Sequence, residues 1–182
     1  MVITIGGNVG AGKTTVAARL AKALGYEELY IGGLMREIAA ERRMTIEGFY
    51  EKLKSEPDLE RSIDERQRKL MREKDNLIVQ GRIAWYFAKQ SLRPSFNIFL
   101  KVNPEAGAER AGKRPENAGR RLHEILEANE SRAQAEHERY RELYQIEDFL
   151  DPRHYDFVLD TTRLTEEEVS QKILAALSDR LP

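Results

Sequence analysis

Short β-branched and aromatic runs alternate along the chain with longer stretches in which apolar residues return every three or four positions. The runs at residues 2–5, 28–31, 77–79, 96–102 and 157–160 predict five strands. The helical spacing between them predicts helices over residues 34–43, 45–54, 59–74, 84–90, 104–113, 122–144 and 165–181. A further helix follows the first strand, where Val16, Ala17, Leu20, Ala21 and Leu24 share one face and Gly25 stands at the position of a terminating glycine. Strands alternating with helices describe an α/β domain, a parallel sheet covered on both faces in three layers. At 182 residues the chain makes one such domain, and no internal repeat or low-complexity tract interrupts it.

The first strand runs directly into Gly7-Asn8-Val9-Gly10-Ala11-Gly12-Lys13-Thr14, followed by Thr15. This is a complete G-x-x-x-x-G-K-T loop between a strand and a helix. Its glycines let successive amides turn toward a phosphate chain, and Lys13 brings a point charge to the β and γ phosphates. Thr14 offers a hydroxyl to Mg²⁺, and the positive end of the helix that starts here faces the same anion. The predicted ligand is therefore ATP or GTP.

Two helical regions do not look like coverings for the sheet. Residues 34–74 insert far more chain between the second and third strands than one crossover helix needs. Residues 113–145 are dense in charge, with Arg114, Arg120, Arg121, Arg132, Arg139 and Arg141 interleaved with glutamates. For most of these side chains the expectation is a solvated, ion-paired surface. The functional reading makes the two regions flaps, one holding an acceptor and the other closing arginines over a triphosphate.

Charge and composition narrow the partners. Hydrophobic residues are 41% and charged residues 34%, with a net charge of −1, so nothing draws the whole molecule to nucleic acid or to an acidic membrane. An anion site must be local. The absence of cysteine excludes disulfides, thiolate zinc sites and a cysteine nucleophile, and His123, His137 and His154 lack ligand spacing. No stretch is long and apolar enough to span a membrane, and the expected location is the cytoplasm.

Beyond the loop, the order of several short motifs resembles the cytidylate kinases, in the short archaeal-type branch of the nucleoside monophosphate kinases. The resemblance rests on residues 31–36 (Ile-Gly-Gly-Leu-Met-Arg), 63–67 (Ile-Asp-Glu-Arg-Gln) and 79–82 (Val-Gln-Gly-Arg). It continues through Ala108-Glu109-Arg110 with Lys113-Arg114, Arg139-Tyr140 with Tyr144, Tyr155-Asp156, and Leu159-Asp160-Thr161. It implies the three-layer P-loop nucleotide kinase fold, with residues 34–74 as the acceptor insertion and 113–145 as the lid. It implies transfer of the γ-phosphoryl group of ATP, with Mg²⁺, to a nucleoside monophosphate, foremost CMP or dCMP; nothing in the sequence demands a dimer, and a monomer is expected.

By the same resemblance Gly7 to Thr15 hold ATP and Thr14 the metal; Arg36, Gly81 and Arg82 face the acceptor phosphate. Arg110, Arg114 and Arg132 join Lys13 at the moving phosphoryl group, with Arg139 a further lid residue. Asp64 has two readings, a contact to the acceptor's base or sugar and an exposed helix carboxylate in an ion pair. Asp160 and Thr161 either border the adenine or cap the end of the last strand.

Two departures from the family pattern stand out. Gly33 replaces an aspartate before the acceptor arginine, and Gln80 replaces an acid that usually orients metal-bound water. Two other readings stay open: a P-loop kinase of another small acceptor, and a nucleotide-binding switch or assembly factor with little transfer activity.

Overall fold

The computed structural model describes residues 1–178 and 180; the expected end of the last helix at residue 181 lies outside them. The strands are β1 (Val2–Gly7), β2 (Glu27–Tyr30), β3 (Leu77–Gln80), β4 (Ser95–Lys101) and β5 (Phe157–Asp160). They form one parallel sheet in the order β2-β3-β1-β4-β5. The predicted five-stranded α/β architecture is the observed one. Because β1 lies at the centre, the chain turns to one side for β2 and β3 and then crosses to the other for β4 and β5. Ligands of such sheets bind beyond the carboxyl ends of the strands, at this divergence.

The helices are α1 (Lys13–Leu24), α2 (Ile31–Glu41), α3 (Ile46–Ser55), α4 (Pro57–Glu73), α5 (Ala84–Gln90), α6 (Pro104–Gly112), α7 (Leu122–Tyr144) and α8 (Glu166–Leu177). Their boundaries follow local chemistry. Gly25 adopts φ 69° and ends α1 as expected. Thr165 and Glu168 make a reciprocal capping box at the start of α8. Pro57 opens α4 two residues before the predicted start at residue 59, since a first-turn proline lacks only an N–H that would be unpaired there.

The largest correction concerns residues 31–33. The expected strand 28–31 stops at Tyr30, and α2 begins at Ile31, three residues before the predicted residue 34. Ile31 is buried in the core, and that burial outweighs the helix-weakening effect of Gly32 and Gly33.

Alternation along the strands sorts side chains to two apolar layers. Ile3, Ile5, Ile98 and Leu100 pack with Val16 and Leu20 of α1 and Ile173 of α8. Val2, Val79 and Phe99 pack on the opposite side with Met35, Phe49, Ile63, Phe87 and Tyr140, drawn from α2, α3, α4, α5 and α7. Thr4, fully buried, breaks the apolar run of β1 and donates to Asn97 Oδ1 at 2.8 Å. Asn97 in turn donates to Asp156 through its backbone N–H at 2.7 Å and its amide at 3.0 Å, tying β1 and β4 to the start of β5.

Thr4→Val should therefore lower stability by about 1–3 kcal/mol, because Asn97 Oδ1 would be left buried and unpaired in an otherwise isosteric core. Urea unfolding of the two proteins reads this directly.

Candidate active site

The loop after β1 owes its shape to glycine at two positions for different reasons. At Gly10 (φ +78°) an added Cβ would lie 2.1 Å from the carbonyl oxygen of Gly107 in α6. At Gly12 (φ +84°) nothing lies within 4 Å of such a Cβ, so the left-handed backbone that turns the chain into α1 is the constraint. Asn8 Oδ1 accepts from the Val102 N–H at 3.4 Å, fastening the loop to the end of β4.

Two adjoining cavities open at this end of the sheet, of about 450 and 360 Å³. The larger is lined by Val9, Gly10, Gly12, Lys13, Thr14 and Thr15 of the loop and by Arg36, Gly81, Arg82, Arg114, Arg132 and Arg139. Lys13 Nζ donates to the carbonyls of Gly7 at 2.9 Å and Asn8 at 2.5 Å. Its pKa is pushed well below the ordinary lysine value, first by burial and then by the charges of Arg82, Arg114 and Arg132, with Glu136 opposing. A bound anion would reverse that balance.

Glu136 is the acid at the centre of the cluster. Its side chain is 4% exposed, with Oε2 at 2.9 Å from Arg82 Nε and Oε1 at 3.0 Å from Arg132 Nε. Burial alone would raise its pKa, but Arg82, Arg132 and Arg139 hold it below the usual carboxylate value. Arg82 also donates to the Gly7 carbonyl at 2.8 Å, and Arg132 donates to the Tyr50 hydroxyl at 2.9 Å. Arg132 is hydrogen-bonded at its Nε edge, and Arg82 ion-paired at its own, by an anion that stays charged.

At the end of β3, Gln80 donates from Nε2 to Thr14 Oγ1 at 3.1 Å, while its own Oε1 is buried without a hydrogen-bond partner. Arg36 donates to the Tyr30 hydroxyl at 2.6 Å and to the Gly32 carbonyl at 3.1 Å. Arg139 pairs with Glu60 of α4 at 2.9 Å, and the guanidiniums of Arg132 and Arg139 lie 5.1 and 5.5 Å from the Tyr50 ring centroid.

The sequence-predicted residues thus divide by place. Lys13, Thr14, Arg36, Arg82, Arg114, Arg132 and Arg139 meet on the larger cavity. Arg110 faces the smaller one and donates to the carbonyls of Thr161 at 2.8 Å and Thr162 at 3.0 Å. Asp64 is buried, accepts from the Tyr144 hydroxyl, and does not line either cavity; the exposed-carboxylate reading of it is excluded. Asp160 caps the turn after β5, accepting from Thr162 N–H at 2.9 Å, whereas Thr161 is buried and lines the smaller cavity. Arg120 and Arg121 bond locally to Asn117 and Glu124 at the exposed start of α7.

Sequence reasoning passed over Tyr30, Tyr50 and Glu136. For Glu136 a signal existed, since Arg132, Glu136 and Tyr140 recur four residues apart and so share one helix face. Tyr30 and Tyr50 belong to the site only through tertiary packing.

A model of the cytidylate kinase-like family matches residues 2–163. The cytidylate kinase of Methanopyrus kandleri is 38% identical over 192 aligned residues, covering 100% of this chain and 95% of that protein. The cytidylate kinase of Methanocella arvoryzae is 35% identical, covering 98% of each. Among solved structures, shikimate kinase from Aquifex aeolicus superimposes with a TM-score of 0.58 at 22% identity over 99% of this chain and 98% of its own, a likeness of fold.

The buried carboxylates behind the cavity give the site a pH signature. Burial raises Glu60 to about 7 and Asp64 to about 6, against the opposing charge of Arg139 on the first and the Tyr144 hydrogen bond on the second. A raised carboxyl binds its proton more tightly in the folded chain, so its contribution is fully present below the unfolded pKa and is lost as pH climbs through the folded value. Relative to Glu60→Gln, the parent protein should lose stability between about pH 4.5 and 7. Urea midpoints across that range measure the difference, and a pH-independent gap would contradict it.

Proposed function

The chain belongs to the cytidylate kinase-like family, and on that footing we propose that it transfers the γ-phosphoryl group of ATP to the phosphate of CMP or dCMP. The products are ADP and the nucleoside diphosphate. The observation that carries this reading is the convergence on one cavity of Lys13, Arg36, Arg82, Arg114, Arg132 and Arg139, drawn from the loop, α2, the end of β3 and the lid region. A site that only senses one nucleotide needs the loop; a site that brings two phosphates together against their repulsion needs cations from several sides.

In this reading the loop from Gly7 to Thr15 holds the donor phosphates, and Lys13 exchanges its carbonyl partners for β and γ oxygens. Arg36, Gly81 and Arg82 hold the acceptor phosphate, and Arg114 and Arg132 reach the moving group. An oxygen of the acceptor phosphate forms a bond to the γ phosphorus as the bond to the β–γ bridging oxygen breaks and its electron pair leaves with ADP. Glu136 holds Arg82 and Arg132 at their Nε edges, and with Arg82 Nη1 on the Gly7 carbonyl and Arg132 Nη2 on the Tyr50 hydroxyl, Arg82 Nη2 and Arg132 Nη1 are left for phosphate. Arg110, at the smaller cavity, braces the donor's nucleoside end by holding the Thr161 and Thr162 carbonyls.

Asp64 accepts from the Tyr144 hydroxyl and lines neither cavity, so its assignment to the acceptor's base or sugar requires the acceptor flap to move when the acceptor binds. Residues 34–74 act as the acceptor flap and 113–145 as the lid. Mg²⁺ would supply charge neutralisation at the donor phosphates. Thr14 Oγ1 fits it as a ligand, and the unpartnered Gln80 Oε1 suits a water that the ion retains. We place the enzyme in the cytoplasm as a monomer acting on small molecules; among the described residues no helix is long and apolar enough to cross a membrane.

Turnover with ATP and Mg²⁺ against CMP, dCMP, UMP, AMP and GMP tests the reading. CMP and dCMP should lead, and inactivity with all five would return the chain to the readings of another acceptor or of a switch. Lys13→Ala should reduce transfer by at least about a thousandfold with an unchanged thermal midpoint, because the glycines and the β1 core remain.

Gln80→Glu supplies a negative charge beside Thr14. It should lower the Mg²⁺ concentration for half-maximal rate by roughly tenfold; an unchanged requirement would show that this position does not tune the ion.

A further inference from the structure

Tyr30 ends β2, and its ring lies against the first turn of α2. A Cβ added at Gly33 would sit 2.7 Å from Tyr30 Cδ1, and one added at Gly32 would sit 2.9 Å from Tyr30 Cε2. Neither glycine has a positive φ. Their backbone is one that any residue adopts, and a helix favours alanine over glycine. What excludes a side chain at both positions is the tyrosine ring.

The ring brings its hydroxyl to Arg36, which donates from Nη1 at 2.6 Å with its guanidinium carbon 5.7 Å from the ring centroid. Among the described residues no acceptor takes the hydroxyl's own proton. Tyr30 and Arg36 line the cavity together with Lys13 and Arg82. A hydroxyl that accepts from a cation is a stronger donor, so this one is polarised toward an anion. A carboxylate beside Arg36 would cancel much of the guanidinium charge and repel phosphate; a phenol does neither.

Resting on the kinase reading above, we propose that Tyr30 is a binding residue for the acceptor. Its hydroxyl donates to an oxygen of the acceptor's phosphate group, and Gly32 and Gly33 are small because the ring must lie on them. The pair formed by Tyr30 and Gly33 thus selects a phosphorylated acceptor over the bare nucleoside, by adding a neutral donor to the charge of Arg36.

The test is steady-state kinetics on the full chain with ATP, Mg²⁺ and CMP, for the parent, Tyr30→Phe, Gly33→Ala, Tyr30→Ala and the Tyr30→Ala/Gly33→Ala double variant. Tyr30→Phe, which keeps the ring, should raise the acceptor KM about tenfold and leave the ATP KM within about twofold. Gly33→Ala should raise the acceptor KM in the parent background by displacing the ring. In the Tyr30→Ala background it should have no further effect.

An acceptor KM for Tyr30→Phe within about twofold of the parent overturns the proposal. So does an equal penalty for Gly33→Ala in both backgrounds. If the parent itself turns over no monophosphate, the kinase reading falls and this inference falls with it; an active parent matched by an equally active Tyr30→Phe removes the inference alone.

Discussion

The cations around the larger cavity repel one another, and the buried carboxylate of Glu136 makes their arrangement tenable. Two unit charges about 4 Å apart near a protein surface repel by about 4 kcal/mol, and here Arg82, Arg114 and Arg132 all act on Lys13. Glu136 answers with one well-hidden anion that touches Arg82 and Arg132 at once. Its placement on α7 ties that helix to Arg82, just past the end of β3. The residual positive charge faces the cavity.

A second tie runs between the two inserted regions. Tyr50 of α3 accepts from Arg132 and lies beneath Arg139, and Glu60 of α4 pairs with Arg139. The proposed acceptor flap and lid are thus linked by Tyr50, Arg132 and Arg139, which line the larger cavity, and by the buried Glu60. Any separation of α7 from α3 and α4 breaks these contacts and exposes Glu60, whose carboxyl is adapted to burial. Movement of one region is therefore felt by the other, because they share partners.

Much of the fold was legible because its signals are local. Strand runs, helical spacing and the cap chemistry of Gly25 and Thr165 each act within a few residues. The start of α2 departs from the local pattern because burial of Ile31 decides it, and burial is not visible in neighbouring residues. The same divide holds in the site. Lys13 and Thr14 are fixed by a contiguous loop, whereas the placement of Arg110 beside Thr161 and of Arg132 beside Tyr50 depends on residues 51 and 82 positions away. Charge density alone could not separate Arg132, on the cavity, from Arg121, which serves only its own helix cap. Gln80 was visible as a departure, but its bond to Thr14 was not.

The two apolar layers of the sheet divide the molecule by task as well as by packing. The glycine-rich loop continues into α1, whose Val16 and Leu20 belong to one layer with α8. Arg36, Arg82 and Arg139 stand beside Met35, Ile83 and Tyr140 of the other. Substitutions in α2, α3 and α4 lie across the sheet from Val16 and Leu20, and of the second layer it is Tyr155, against Gly6, that touches the foot of the loop. A lineage built on this plan can change what it phosphorylates while inheriting, unaltered, the means of holding the phosphate it gives away.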